Sequence, residues 1–171
     1  MCIRDSYLAV LSWGTRQVEV ASSTGGQRWS ATTTNNDLDG LEVNDCLNSE
    51  SDRVIVGQNG DGAPVVAISD DNDRWEITSL AEVGAAFGIA EIRDELFVVG
   101  WTESDLGSDG AIWRREPSGQ WQQLTNTGLE SDEFSESISI SDLTESDGVV
   151  VAIGSDQGRA GVWIASTEAL S

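Results

Sequence analysis

Apolar residues in this chain fall in short runs bounded by turn formers, with no sustained helical period. Four of the runs, YLAVLSWG, RVIVGQNG, LFVVGW and VVVAIG, are rich in β-branched residues and end in or near glycine. Their apolar positions are consecutive, the pattern of a strand covered on both faces. Three are preceded by a second candidate strand, LEVNDCL, GIAEIR and SISISDL, across the turn residues NSESD, RDE and TESDG. All four are followed by a third apolar run, VEVASS, PVVAIS, AIWRRE or GVWIAST. After three of them comes a strand in which Trp alternates with polar residues, as expected of an outer strand: QRWSATT, DRWEITS and GQWQQLT. The segment LAEVGAAFGIA has helical residues, but its two glycines and the strand pattern after them predict a loop with one turn before GIAEIR.

These strands repeat. Trp29, Trp75 and Trp121 are each 46 residues from the next, and Ala21, Ala67 and Trp113 stand eight residues before them. A further copy is centred on Trp163, and the position eight beyond it is Ser171. Four short antiparallel strands per unit of this length is the signature of a β-propeller blade. A β-sandwich has no reason to set Trp at a fixed interval. The predicted fold is therefore all-β, a β-propeller fragment of about three and a half four-stranded antiparallel blades. Residues 7–33 form a partial blade with strands two to four, residues 34–80 and 81–127 two whole blades, and residues 128–171 a partial blade without its outer strand.

Composition narrows the partners. The 171 residues include 30 acidic and nine basic ones, every basic one Arg, for a net charge of -21 without any His. Such a surface repels phosphate backbones and anionic headgroups, so nucleic acid is excluded as a partner. No stretch has the roughly 18 apolar residues of a membrane helix, so membrane insertion is not expected. Two cysteines, Cys2 and Cys46, give no disulfide framework. The first six residues, MCIRDS, match nothing that follows; they resemble a translated transposase end sequence from library preparation, which would make residues 1–6 a scar and remove Cys2 from the cysteine count.

The turns before the outer Trp residues carry a family resemblance. SSTGGQRW holds Ser22, Gly26 and Trp29 at the spacing of the Asp-box, the bacterial neuraminidase repeat, with Thr24 in the Asp position. SDDNDRW is one residue shorter and keeps Ser69, Asp71 and Trp75, whereas REPSGQW keeps Gly119 and Trp121. The chain thus resembles bacterial Asp-box propeller proteins over residues 7 to 171. That resemblance implies a propeller fold and an exported protein, extracellular or at the cell surface. The box itself is a structural device: its short polar side chain bonds turn amides while Trp packs across the hairpin.

Sialidases share this repeat, and the resemblance would imply three Arg gripping a substrate carboxylate and a Tyr paired with Glu. The chain has a single Tyr, Tyr7, in an apolar run, and Arg28, Arg53, Arg74, Arg93, Arg114 and Arg115 fall mainly on turns and outer strands. Without His there is no Ser–His or Cys–His nucleophile, and paired carboxylates are indistinguishable from the acidic background. No catalytic residue and no organic cofactor are assigned, and the chain is expected not to be an enzyme. One loop admits a cation. NNDLDG sets Asn35, Asp37 and Asp39 at alternate positions before Gly40, the spacing at which short side-chain oxygens converge on Ca²⁺. The alternative is a plain acidic turn: Cys46 stands where an EF-hand has its bidentate Glu. The function expected is a non-catalytic binding or scaffolding module of a larger exported bacterial protein, with a protein or glycan ligand. The alternative is a half-domain of a sialidase-like, glycan-processing hydrolase whose catalytic residues lie outside these residues.

Overall fold

The computed structural model describes residues 7–13, 17–23, 26–31, 36–49, 52–70, 74–125, 128–131 and 136–170. The described residues form fourteen strands and two short 3-10 turns, arranged as four consecutive antiparallel sheets. The first sheet is β1 (Tyr7–Trp13), β2 (Gln17–Ser23) and β3 (Ser30–Ala31). The second is β4 (Glu42–Asn48), β5 (Arg53–Gln58), β6 (Pro64–Ser69) and β7 (Glu76–Ser79). The third is β8 (Gly84–Ile92), β9 (Glu95–Glu103), β10 (Gly107–Arg115) and β11 (Trp121–Gln123). The fourth is β12 (Glu136–Ser146), β13 (Val149–Asp156) and β14 (Arg159–Ser166), followed by a 3-10 turn at Thr167–Leu170. A short parallel bridge from Gly107 and Ser108 to Glu136 and Ser137 joins the third sheet to the fourth. The fold is a partial β-propeller, as the repeat predicts.

Three apolar clusters lie between successive sheets, which is why the second and third strands are apolar at consecutive positions. Val18 and Val20 of the first sheet meet Ile55, Val65, Ala67 and Trp75 of the second. Val54, Val56 and Val66 turn the other way, onto Ala86, Val98, Ala111 and Trp113 of the third. Phe97, Val99 and Ile112 face Ile138, Ile140, Val150 and Ala152 of the fourth. One residue parity of each strand thus serves the preceding sheet and the other parity the following one.

A shared device shapes the inner edge of the second, third and fourth sheets. The first strand is bulged at Asn44, Phe87 and Ser141, next to a glycine in the second strand, Gly57, Gly100 or Gly154. A Cβ on any of these glycines would stand 1.9 Å from the facing carbonyl oxygen of Glu42, Ala85 or Ser139. Glycine is required here by the close approach of the two backbones.

The loop predicted before GIAEIR is instead strand: β8 begins at Gly84. Ala85 and Ala86 are buried, Ala86 in the cluster between the second and third sheets, and that burial overrides alanine's weak strand preference. Of the Asp-box segments, residues 24–25 and 71–73 lie outside the described residues, as does the hexapeptide 1–6. The third is a hairpin: Gly119 sits at φ 87° with its amide donating to the Glu116 carbonyl at 2.8 Å.

Candidate functional site

The first strands β4, β8 and β12 lie side by side at the inner edge of the sheets, and their bulges stand close to one another. Asn44 Nδ2 donates to the Ala86 carbonyl at 2.8 Å, tying the second sheet to the third. Asp45 does the same through its carboxylate: Oδ1 accepts from the Cys46 amide at 2.8 Å and Oδ2 from the Ile89 amide at 3.1 Å. Next to Ile89, Gly88 permits the fourth sheet to come close, since a Cβ there would lie 2.8 Å from the Ser141 oxygen and 3.3 Å from the Asp142 Cα. Asp142 repeats the local bond of Asp45, accepting from the Leu143 amide at 2.8 Å.

The result is an inner surface with mixed chemistry. Asn44, Ser141 and Asp142 are exposed on it, and Phe87 and Asp45 are half-buried. Bulges commonly re-aim side chains at the rims of sheets and beside binding sites. Burial raises the Asp45 carboxyl above its usual range; its two backbone amides pull it down, and repulsion from Asp142 adds to the rise. Burial, with Asp45 beside it, pushes the Cys46 thiol up to about 11, so at neutral pH it is a packed thiol and not a thiolate.

The sequence-predicted cation residues lie elsewhere. Asp37 and Asp39 flank the fully buried Leu38 in the 3-10 turn Asn36–Leu38 and are exposed, while Asn35 lies outside the described residues. Among the described residues no group of three or more His, Cys, Asp or Glu side chains is placed to hold a metal ion. No helix of the described residues is long and apolar enough to cross a membrane.

On the opposite ends of the strands, a groove of about 600 Å³ opens between the second and third sheets. Asp52, Glu91, Asp94, Glu95 and Glu116 line it beside Arg115, whose Nη1 bonds Asp52 Oδ2 at 2.8 Å. It has neither the bulges nor the aromatic ring of the inner surface.

The residues of the inner surface were not singled out in the sequence. Their signal is faint: a small polar residue, Asp and an apolar residue within the first strand, as NDC at 44–46 and SDL at 141–143. In a chain with 30 acidic residues such triplets do not stand out.

No family model matches the chain, and no curated protein is similar to it in sequence. Solved structures are similar in fold. The Bacteroides ovatus xyloglucan-locus protein GH43B superposes with a TM-score of 0.59 at 9% identity, covering 98% of this chain and 38% of its own. The Bombyx mori GH32 β-fructofuranosidase BmSUC1 gives a TM-score of 0.58 at 14% identity, covering 95% of this chain and 44% of its own. A complex of a variant of that enzyme with sucrose gives 0.57 at 16% identity. The chain therefore spans about two fifths of the length of these structures.

These neighbours correct the expectation that the chain is not an enzyme. They are β-propeller glycoside hydrolases, so the fold is one associated with an enzyme class. The absence of sialidase machinery, three Arg and a Tyr–Glu pair, does not bear on hydrolases of this kind. Glycoside hydrolysis generally needs only two carboxyl groups flanking the bond, which an acidic sequence hides.

Proposed function

We propose that this chain is part of a glycan-processing hydrolase of the propeller type, working outside the cell, and that its inner surface holds a saccharide. The observation that carries this reading is the meeting of three bulged first strands, which brings Asn44, Phe87 and Ser141 to one surface in a fold shared with glycoside hydrolases. Each suits a sugar. The Phe87 ring offers an apolar platform for the C–H face of a pyranose or furanose. Ser141 both donates to and accepts from hydroxyls, and Asn44 keeps its side-chain oxygen as an acceptor while Nδ2 bonds Ala86. Pockets that pair an apolar wall with a few polar groups are the usual form of small-ligand sites. In this reading the acid and base of hydrolysis belong to parts of the enzyme beyond these residues, in keeping with the coverage of the neighbours.

The test is binding of neutral saccharides to the chain, with xyloglucan heptasaccharide and sucrose as probes, followed by chemical-shift perturbation. Millimolar affinity, weakened at least fivefold by Phe87→Ala and by Ser141→Ala with melting temperatures preserved, is expected. Shifts confined to the groove at Arg115, or affinity indifferent to both substitutions, would rule the reading out.

A further inference from the structure

The open polar groups of the inner surface are mostly acceptors. One Nδ2 hydrogen of Asn44 is committed to the Ala86 carbonyl at 2.8 Å, which fixes the amide and leaves its oxygen available. Asp142 spends one oxygen on the Leu143 amide at 2.8 Å, and its other oxygen bonds no described residue. Both side chains are exposed, as is Ser141, whose hydroxyl both donates and accepts. The Phe87–Gly88 backbone abuts this group, because a Cβ on Gly88 would lie 2.8 Å from the Ser141 oxygen and 3.3 Å from the Asp142 Cα. The aromatic residue and the open carboxylate therefore belong to one patch.

Charge points the same way. Asp45 feels repulsion from Asp142, and backbone amides hold both of its oxygens, so no cation separates the two carboxylates. Arginines are engaged elsewhere: Arg53 bonds the Asp70 carbonyl, Arg114 pairs with Glu116 and Arg115 with Asp52, while Arg159 faces Asp156 across the turn from β13 to β14. A sugar carrying a carboxylate would be repelled here. A hydroxyl brings one donor, whereas a protonated amine brings three N–H donors, no acceptor and a positive charge. The face of an aromatic ring such as that of Phe87 also attracts a cation.

We propose that the inner surface takes an amino sugar with a free, protonated amine, its ammonium on the open oxygen of Asp142 and its ring on Phe87. The proposal rests on the saccharide reading above and narrows its ligand. Asp142 is then the residue that sets specificity, and Asn44 and Ser141 serve the neighbouring hydroxyls.

The test compares three trisaccharides of one backbone on the full chain: cellotriose, the trimer of glucosamine and the trimer of N-acetylglucosamine. Binding is followed by chemical-shift perturbation at about pH 6, above the ordinary carboxylate range, in about 0.15 M salt to screen distant charges. The glucosamine trimer is expected to bind about threefold or more tighter than cellotriose, the gain an exposed ion pair supplies, and the N-acetylated trimer no tighter than cellotriose. Asp142→Asn can keep the bond to the Leu143 amide while removing the charge. It should bring the glucosamine trimer down to the affinity of cellotriose and leave cellotriose binding and the melting temperature unchanged. If all three trimers shift Asn44, Phe87 and Ser141 with equal affinity, the amino-sugar proposal falls and the saccharide reading stands. A preference that survives Asp142→Asn also overturns the proposal, because the attraction would then be to the overall charge of -21. If no trimer shifts these residues, both fall.

Discussion

The Asp45 carboxylate accepts a hydrogen bond from the Ile89 amide across the boundary between the second and third sheets, at 3.1 Å. Its other oxygen holds the Cys46 amide, so one side chain both fixes the turn of its own strand after the bulge and ties two sheets together. Burial raises its pKa above the usual carboxylate range. A carboxyl held above its unfolded value binds its proton more tightly when folded. Its contribution to stability is therefore fullest below the unfolded value and falls as pH rises through the window up to the folded value. Asp45→Asn cannot ionise and loses one of the two amide bonds, at a cost of about 1 to 3 kcal/mol. Because only the parent chain loses stability as the carboxyl ionises, the deficit of Asp45→Asn should be largest near about pH 4 and narrow toward neutrality. Urea unfolding at stepped pH checks this, and a deficit that widens with pH would contradict it.

The bulge and its glycine can be separated from ordinary glycine effects. At Gly100 a Cβ would lie 1.9 Å from the Ala85 carbonyl oxygen, with backbone on the far side and no room to yield. At Gly62, φ is 85° but nothing stands within 4 Å. Gly100→Ala should therefore cost about 3 kcal/mol, the upper part of the overpacking range. Gly62→Ala should cost only the 1 to 2 kcal/mol or so of a left-handed backbone. Equal losses in equilibrium denaturation would mean that the bulge relaxes freely.

The three outer tryptophans were equivalent in the sequence, and the structure separates them. Trp75 is buried in the cluster between the first and second sheets, whereas Trp29 is 47% exposed. Trp75→Ala should lose about 3 to 5 kcal/mol. Trp29→Ala should lose less than half as much, since much of its ring is already in water. The Trp75 indole N–H is buried without a hydrogen-bond partner among the described residues, so Trp75→Phe discards a costly group along with some packing. Its loss should be below 2 kcal/mol or so, and a loss as large as that of Trp75→Ala would show that the indole N–H is satisfied by water.

What could be read from the chain and what could not divide along a physical line. The 46-residue Trp interval and the doubly covered second strands, Val54 to Val56 and Phe97 to Val99, were legible because burial on both faces leaves consecutive apolar residues. The start of β8 at Gly84 was not: Ala85 and Ala86 favour a strand only once they are buried, Ala86 against the second sheet. The inner surface was invisible for a related reason. A bulge is one unpaired residue, set by how two backbones meet at Gly57, Gly100 and Gly154, and it leaves no hydropathy trace at Asn44, Phe87 or Ser141.

The Trp pattern also concealed a substitution of function. Trp75 and Trp121 reach from the outer edge of their sheets toward the sheet before them, and the fourth sheet has no such strand among the described residues. Leu170 takes that place. It comes from the 3-10 turn Thr167–Leu170, is buried with Phe97, Ile112 and Val150, and so closes the cluster between the third and fourth sheets. Two hydrogen bonds hold the turn: the Thr167 amide donates to the Gly148 carbonyl at 3.0 Å, and Arg114 Nη1 donates to the Leu170 carbonyl at 3.0 Å. If Leu170 seals the cluster, Leu170→Ala should cost about 2 to 4 kcal/mol, as a buried leucine does. Arg114→Met keeps much of the aliphatic stem and drops the bond to the turn, so it should cost about 1 kcal/mol. The double variant should then lose less than the sum of the two, because a turn no longer anchored by Leu170 gains little from the arginine. Strict additivity in urea unfolding would mean that the arginine acts through its 2.8 Å ion pair with Glu116 and not through the turn.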